Sequence, residues 1–148
     1  MTIPQVVTEL GVLPYIFDLE LSGKCNTACS FCPREEMKRG ENFMTEENFE
    51  FFMDRFVPYA RHLEGRTVYL PAEKARAALG VGEDSPVRVI LCGMGESLMH
   101  RRCSEWIGRI RREAGVRVTV VTNGLLLKEA TVEKLAEAGL TVALVSVP

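Results

Sequence analysis

Hydrophobic and polar positions along the chain follow two periods, one typical of strands and one typical of helices. Residues 15–21 alternate between an apolar side and a side that carries Asp18 and Glu20, which predicts a strand with one apolar face. Apolar runs predict three further strands, at residues 87–91, 116–121 and 141–147. The last two are mostly Val, Ala and Leu, as expected for strands that are covered on both faces.

Apolar side chains at helical spacing predict a helix after each of the first three strands. The first helix begins after Thr45, whose hydroxyl suits the N-cap position, and its apolar stripe runs from Phe49 to Ala60. The second covers about residues 103–114 and the third about residues 131–138. Strands that alternate with helices predict right-handed βαβ units and a parallel sheet, an α/β fold.

Two stretches lie outside this alternation. Residues 1–14 precede the first strand and are expected to form a leader. Residues 61–86 separate the first helix from the second strand and are expected to be an insertion, with a strand-like piece at 67–70 and a helix-like piece at 72–79. The length of 148 residues corresponds to one domain.

Composition and charge exclude several classes of protein. A hydrophobic fraction of 47% and a charged fraction of 26% are ordinary for a globular protein, which excludes a disordered or fibrous chain. A net charge of −2 predicts no general attraction to nucleic acid. The sequence contains no membrane-spanning run and no recognisable secretory signal, and its five cysteines cannot all pair. We therefore expect no membrane partner and a reducing, cytoplasmic location.

Three of the cysteines form a C-x3-C-x2-C motif: Cys25, Cys29 and Cys32. Thiolates are ligands for iron–sulfur clusters and for zinc. Three thiolates in one short loop can bind three irons of a [4Fe–4S] cluster and leave the fourth iron open. Closed structural zinc sites use four ligands, and the lone candidates for a fourth ligand here are His62 and His100.

The segment FDLELSGKCNTACSFCP resembles the start of the radical S-adenosylmethionine (radical SAM) superfamily, where Phe31 occupies the aromatic position of C-x3-C-x-aromatic-C. Residues 93–96 resemble the family's Gly-Gly-Glu-Pro element, although Ser97 stands in place of the proline. Residues 122–124 resemble the family's T-N-G turn.

This resemblance implies an incomplete parallel (β/α) partial barrel of about four strands, with the inserted strand–helix segment after its first helix. It implies that the [4Fe–4S] cluster is held by Cys25, Cys29 and Cys32. It also implies that S-adenosylmethionine (SAM) is bound by residues at the ends of the later strands: Gly93, Gly95, Glu96, Asn123 and Ser146.

The chemistry implied by the resemblance is reductive cleavage of SAM. The reduced cluster would give one electron to the sulfonium, and the resulting 5′-deoxyadenosyl radical would abstract hydrogen from an unknown substrate. The motif is compatible with members that mature peptides or cofactors. An electron donor of the flavodoxin or ferredoxin type is also implied. The residues that could receive this donor, or simply form a solvated face, are Arg101, Arg102, Arg109, Arg111, Arg112 and Arg117.

The chain is short for the six-unit barrel of this family, which needs roughly 190 residues. We therefore expect a truncated radical SAM core domain, with an unpaired hydrophobic edge at its fourth strand. Two alternatives stay open: a non-catalytic iron–sulfur binding fragment, and half of a split enzyme that a further chain completes.

Other residues allow further interpretations. Cys92 and Cys103 are expected to be small core residues rather than ligands of an auxiliary cluster. His100 could contact substrate. Residues 65–91, within the stretch 61–91, weakly resemble swapped-hairpin DNA-binding modules of the AbrB type. They lack the basic patch of nucleic-acid binders, so a surface insertion is the favoured interpretation over a DNA-binding regulator.

Overall fold

Helices and strands alternate along the part of the chain that the computed structural model describes, residues 16–63 and 87–146. The strands are β1 (Ile16–Leu19), β2 (Arg88–Leu91), β3 (Arg117–Thr122) and β4 (Val142–Val145). The longer helices are α1 (Glu46–Leu63), α2 (Cys103–Ala114) and α3 (Glu129–Glu137). Two short 3-10 turns lie at Pro33–Glu36 and Ser97–Met99.

The four strands form one parallel sheet in the order β1-β2-β3-β4. Leu19 lies opposite Leu91, Leu91 opposite Val120, and Val120 opposite Ala143, so the strands run in a simple progressive register. Because each neighbouring pair is parallel, the C-terminal ends of all four strands meet at one edge. The predicted α/β fold with an open, partial barrel of four parallel strands is confirmed.

The hydrophobic core lies on one face of the sheet, where α2 packs against α1 and β3, and buried valine and leucine side chains of β2 and β3 belong to the same cluster. Phe49 of α1 stacks on Trp106 of α2, with ring centroids 4.1 Å apart. The Thr45 hydroxyl accepts a hydrogen bond from the backbone N–H of Asn48 at 3.2 Å, which confirms the predicted N-cap. The ring contact joins α1 to α2, and the cap fixes the start of α1.

The structure differs from the sequence predictions in several details. Strand β4 is not covered on both faces: Leu144 and Val145 are 51% and 52% exposed. In the described part of the chain β4 pairs only with β3, and Val142 is its one partly buried residue. Helix α3 begins at Glu129, earlier than predicted, and α1 continues to Leu63, so residues 61–63 of the predicted insertion are helical.

Part of the predicted organisation lies outside the described residues, namely the leader at 1–14 and residues 64–86 of the insertion. The strand that follows the insertion is described. Strand β2 lies between β1 and β3 as a barrel strand, rather than in the interleaved pairing of an AbrB-type module. Among the helices that the structure describes, none combines the length and the apolar character needed to cross a membrane.

Candidate functional site

The three-cysteine loop leaves the C-terminal end of β1 and ends in the 3-10 turn Pro33–Glu36. Cys25, Cys29 and Cys32 are all half-buried free thiols. The backbone N–H of Cys32 donates to the carbonyl oxygen of Cys29 at 3.0 Å. The Arg34 guanidinium donates to the backbone oxygen of Thr27 at 3.1 Å, and this bond fixes the middle of the loop.

A cavity of about 220 Å³ lies beside this loop, at the C-terminal edge of the sheet. It brings together all eight residues that the sequence analysis assigned to a site: Cys25, Cys29, Cys32, Gly93, Gly95, Glu96, Asn123 and Ser146. Five further residues also line it: Thr27, Phe31, Cys92, Val121 and Thr122. The C-terminal edge of a parallel sheet is the usual place for a ligand in this class of fold.

Gly95 lets the loop after β2 pass closely beneath the cysteine loop. A Cβ at this position would collide with the carbonyl oxygens of Ser22 and Lys24, 2.5 Å from the latter. The close approach is held by a hydrogen bond from the backbone N–H of Glu96 to the Lys24 carbonyl at 2.8 Å. At Gly93, by contrast, the three atoms nearest to a Cβ would all belong to the side chain of Glu20. The backbone therefore requires glycine more strictly at position 95.

The Glu96 side chain is 2% exposed and both of its oxygens accept hydrogen bonds from backbone N–H groups. One bond comes from Leu98 at 3.0 Å and caps the turn after β2. The other comes from Asn123 at 2.8 Å and joins the loops after β2 and β3. A carboxylate has further lone pairs, so these bonds leave acceptor capacity for a ligand ammonium group. No sequence pattern indicates that Glu96 also organises two loops.

Asn123 is oriented by its own turn. Its Oδ1 accepts from the backbone N–H of Leu125 at 3.0 Å, so its Nδ2 must face the opposite way, toward the cysteine loop. There Nδ2 donates to Asn26 Oδ1 at 2.7 Å and to Cys25 Sγ at 3.7 Å. Gly124 follows with a left-handed φ of 81°, which permits this turn.

The other two cysteines have different environments. Cys103 is 4% exposed in the core, where burial raises the pKa of its thiol to about 12. It is the small core residue that the sequence predicted. Cys92 instead lines the cavity, where burial, followed by the nearby Asp18 and Glu20 carboxylates, raises the pKa of its thiol to about 11. Both thiols are therefore protonated at neutral pH in the metal-free chain.

Neither predicted histidine lines the cavity beside the cysteine loop: His62 is exposed on α1, and His100 lines a different cavity. The His100 ring is 7% exposed; its Nε2 lies 3.1 Å from the carbonyl oxygen of Met44, and its Nδ1 accepts from Arg102 N–H at 3.2 Å. Burial lowers the pKa of His100, so the ring is neutral and both nitrogens are occupied. Among the described residues, no three His, Cys, Asp or Glu side chains are grouped to hold a single metal ion.

Some of the arginines around α2 are committed to intramolecular ion pairs. Arg102 pairs with Glu46 and Glu105, each at 2.5 Å. Arg109 pairs with Glu50 and Glu113. The pairs with Glu46 and Glu50 join α2 to α1, and all four pairs reduce the positive charge that this surface offers to an acidic partner. The predicted docking of an electron donor here stays a prediction.

The fold and the site together define a partial (β/α) barrel with a three-thiol loop at the C-terminal edge of its sheet. The family model described as the Radical SAM superfamily matches residues 19–148. The chain therefore belongs to the radical SAM superfamily, as the cysteine motif predicted.

Two solved structures of BtrN have a similar fold. The first, BtrN in complex with AdoMet and 2-DOIA, has a TM-score of 0.63 and 20% sequence identity, covering 90% of this chain and 46% of that chain. The second, selenomethionine BtrN in an open conformation, has a TM-score of 0.61 and 20% identity, covering 90% of this chain and 50% of that chain. This chain thus spans about half the length of BtrN. A comparison with curated proteins finds no match.

The residues around the cavity fit the cofactors of the family. Three half-buried thiols face one cavity, and thiolates are the ligands of [4Fe–4S] clusters. They do not converge as ligands of one ion do, whereas a cluster is larger and binds each thiolate through a different iron. Gly93 and Gly95 both line this cavity beside the thiols, so backbone groups of the loop after β2 border the space that a second ligand would occupy.

Proposed function

We propose that this chain binds a [4Fe–4S] cluster through Cys25, Cys29 and Cys32, binds SAM in the adjoining cavity, and initiates radical chemistry on a substrate. The observation that carries the proposal is the convergence of three sequence elements on one cavity. The cysteine loop, the loop with Gly95 and Glu96, and the T-N-G turn come from three different strands and line the same space.

When bound, the reduced cluster would supply one electron that cleaves SAM to methionine and a 5′-deoxyadenosyl radical, which abstracts hydrogen from the substrate. The chain's own residues would bind and orient these groups. Gly93 and Gly95 would let backbone approach the amino-acid end of SAM, and Glu96 has lone pairs left to accept from an ammonium. Asn123 and Ser146 would line the remaining wall of the cavity.

We extend this proposal to the cellular location, the electron donor and the class of reaction. A cluster with an open iron suits a reducing compartment, which favours the cytoplasm. An acidic flavodoxin or ferredoxin would be the electron donor, and maturation of a peptide or a cofactor would be the reaction class. The complex of BtrN with AdoMet supports SAM as the second ligand.

A second candidate function follows from the exposed strand β4. Leu144 and Val145 are about half exposed at an edge that has open hydrogen-bonding groups in the described part of the chain. Such an edge pairs readily with another strand. In this case the chain is one half of a barrel that further polypeptide completes, and it holds the cluster without cleaving SAM by itself.

The test is anaerobic reconstitution of the 148-residue chain with iron and sulfide, followed by EPR of the dithionite-reduced protein with and without SAM. Three variants, Cys25→Ala, Cys29→Ala and Cys32→Ala, should each lose the [4Fe–4S] signal. Cys103→Ala is the matched control, because this cysteine is buried in the core and does not line the cavity. It should retain the cluster.

Each outcome separates the alternatives. A cluster signal that changes when SAM is added, with 5′-deoxyadenosine and methionine as products, supports a working site in this chain. A cluster signal that ignores SAM supports the half-barrel candidate. Bound zinc without an iron–sulfur signal would overturn the proposed function. A cluster that is retained in each of the three single cysteine variants would also overturn it.

A further inference from the structure

We propose that Asn123 raises the reduction potential of the bound cluster by donating an N–H···S hydrogen bond to the sulfur of Cys25. This inference rests on the proposed function, since it needs the cluster. It assigns Asn123 a positioning and tuning role toward the cluster itself, beyond the place at the SAM site that the resemblance implies.

The geometry leaves one orientation for the Asn123 amide. Its Oδ1 faces the backbone N–H of Leu125, which can only donate, so Nδ2 must point toward the cysteine loop. One of the two Nδ2 hydrogens goes to Asn26 Oδ1 at 2.7 Å. The other is available to Cys25 Sγ, which lies 3.7 Å from the nitrogen. The contact therefore follows from a turn that is already hydrogen-bonded.

The position of Asn123 is also fixed from behind. Its backbone N–H donates to the buried Glu96 carboxylate at 2.8 Å. The Thr122 hydroxyl, in a residue that is 2% exposed, accepts from the backbone N–H of Gly124 at 3.1 Å. A donor held this firmly loses little entropy when it bonds to sulfur. Its effect on the cluster should therefore persist in solution.

The direction of the effect follows from charge. Reduction adds an electron to the cluster and increases the negative charge on its thiolate ligands. A hydrogen bond to a thiolate sulfur stabilises the more negative state more strongly, and hydrogen bonds to sulfur are among the factors that set cluster potentials. Cys25 Sγ also lies 3.1 Å from the Thr27 hydroxyl, so two donors can reach this ligand. Removing one should make the cluster harder to reduce.

The experiment is an EPR-monitored redox titration of the reconstituted full chain without SAM. Asn123→Ser removes the amide donor but keeps a short oxygen that can accept from Leu125 N–H. Asn123→Ala removes both groups. Asn26→Ala is the matched control, because it removes the other partner of the same amide and leaves the N–H···S donor in place. Asn48→Ala, an exposed residue of α1, controls for the substitution itself.

At a fixed solution potential, both Asn123 variants should have a ratio of reduced to oxidised cluster about threefold lower than the wild-type chain. A threefold change corresponds to a reduction potential about 28 mV lower for a one-electron couple, at 59 mV for each factor of ten. Asn26→Ala and Asn48→Ala should not lower it. Two variants at position 123 guard against a turn that fails to form in one of them.

The outcomes distinguish this inference from the proposed function. If the wild-type chain assembles the cluster but both Asn123 variants keep the wild-type potential, the inference is wrong and the proposed function stands. If Asn26→Ala lowers the potential as much as Asn123→Ser, the effect comes from loop structure and the inference also fails. If the wild-type chain assembles no cluster, the measured iron and sulfide content shows that the proposed function itself has failed, and both fall.

Discussion

Replacing Glu96 by glutamine should destabilise the chain even without any cofactor. The substitution keeps the shape of the side chain but turns one of its two acceptor oxygens into an NH2 group. In the structure both oxygens face backbone N–H donors, those of Leu98 and Asn123. Whichever way the amide turns, one backbone donor then faces another donor at a site that is 2% exposed.

The magnitude follows from the burial of these groups. A hydrogen bond to a charged acceptor contributes about 1.5–3 kcal/mol, and a buried donor left without a partner costs a similar amount. Since one of the two bonds is lost, we expect a loss of about 2 kcal/mol in the free energy of unfolding. In a domain of this length that corresponds to roughly 4–8 °C in melting temperature.

The assay is urea denaturation of the cluster-free chain at neutral pH, with circular dichroism as the signal. Glu133→Gln is the matched control, because Glu133 is exposed on α3 and surface changes of this kind stay within about 0.5 kcal/mol. If Glu96→Gln is as stable as this control, the two backbone bonds do not organise the loops and the reasoning is refuted.

Three further predictions concern single residues. Gly95→Ala should lower the unfolding free energy by about 2–3 kcal/mol in thermal denaturation, because the added Cβ meets backbone oxygens. Gly93→Ala should cost less, because the atoms nearest to its Cβ belong to a side chain. Burial lowers the pKa of His100, so below about pH 6.5 the unfolded chain binds more protons than the folded chain. The free energy of unfolding should therefore fall from pH 7 to pH 5, and it should fall less steeply in His100→Gln. Cys103→Ser should melt below Cys103→Ala, because the core leaves a hydroxyl without a partner. Equal costs at the two glycines, equal pH slopes, or a serine variant as stable as alanine would contradict these predictions.

Much of the fold could be predicted from the sequence because it depends on local patterns. Helix α2 has the predicted bounds, Cys103–Ala114, since its apolar stripe ends at a glycine with a left-handed φ of 68°. The cysteine loop and the two glycine-containing elements could be placed at one edge, because the C-terminal ends of parallel strands meet there. The convergence of eight predicted residues on one cavity follows from that topology.

The rest depends on contacts between loops, which a local pattern does not encode. The bond between Glu96 and Asn123 joins residues that lie 27 positions apart, and the amide of Asn123 reaches Cys25 across 98 positions. Cys92 was expected in the core because it follows a buried strand. It lines the cavity instead, since successive residues of a strand point to opposite faces and its neighbour Leu91 occupies the core face.

The two sides of the cavity differ in how firmly the chain holds them. Three loops are joined into a closed ring by hydrogen bonds from Glu96 N–H to Lys24, from Asn123 N–H to Glu96, and from Asn123 Nδ2 to Asn26. The thiol side is therefore formed before any cofactor binds. Ser146 is attached by its backbone N–H to Thr122, at the end of the exposed strand β4. Cluster assembly should thus require only this chain, whereas SAM binding should depend on how β4 is covered, which is why EPR with and without SAM separates the two proposed functions.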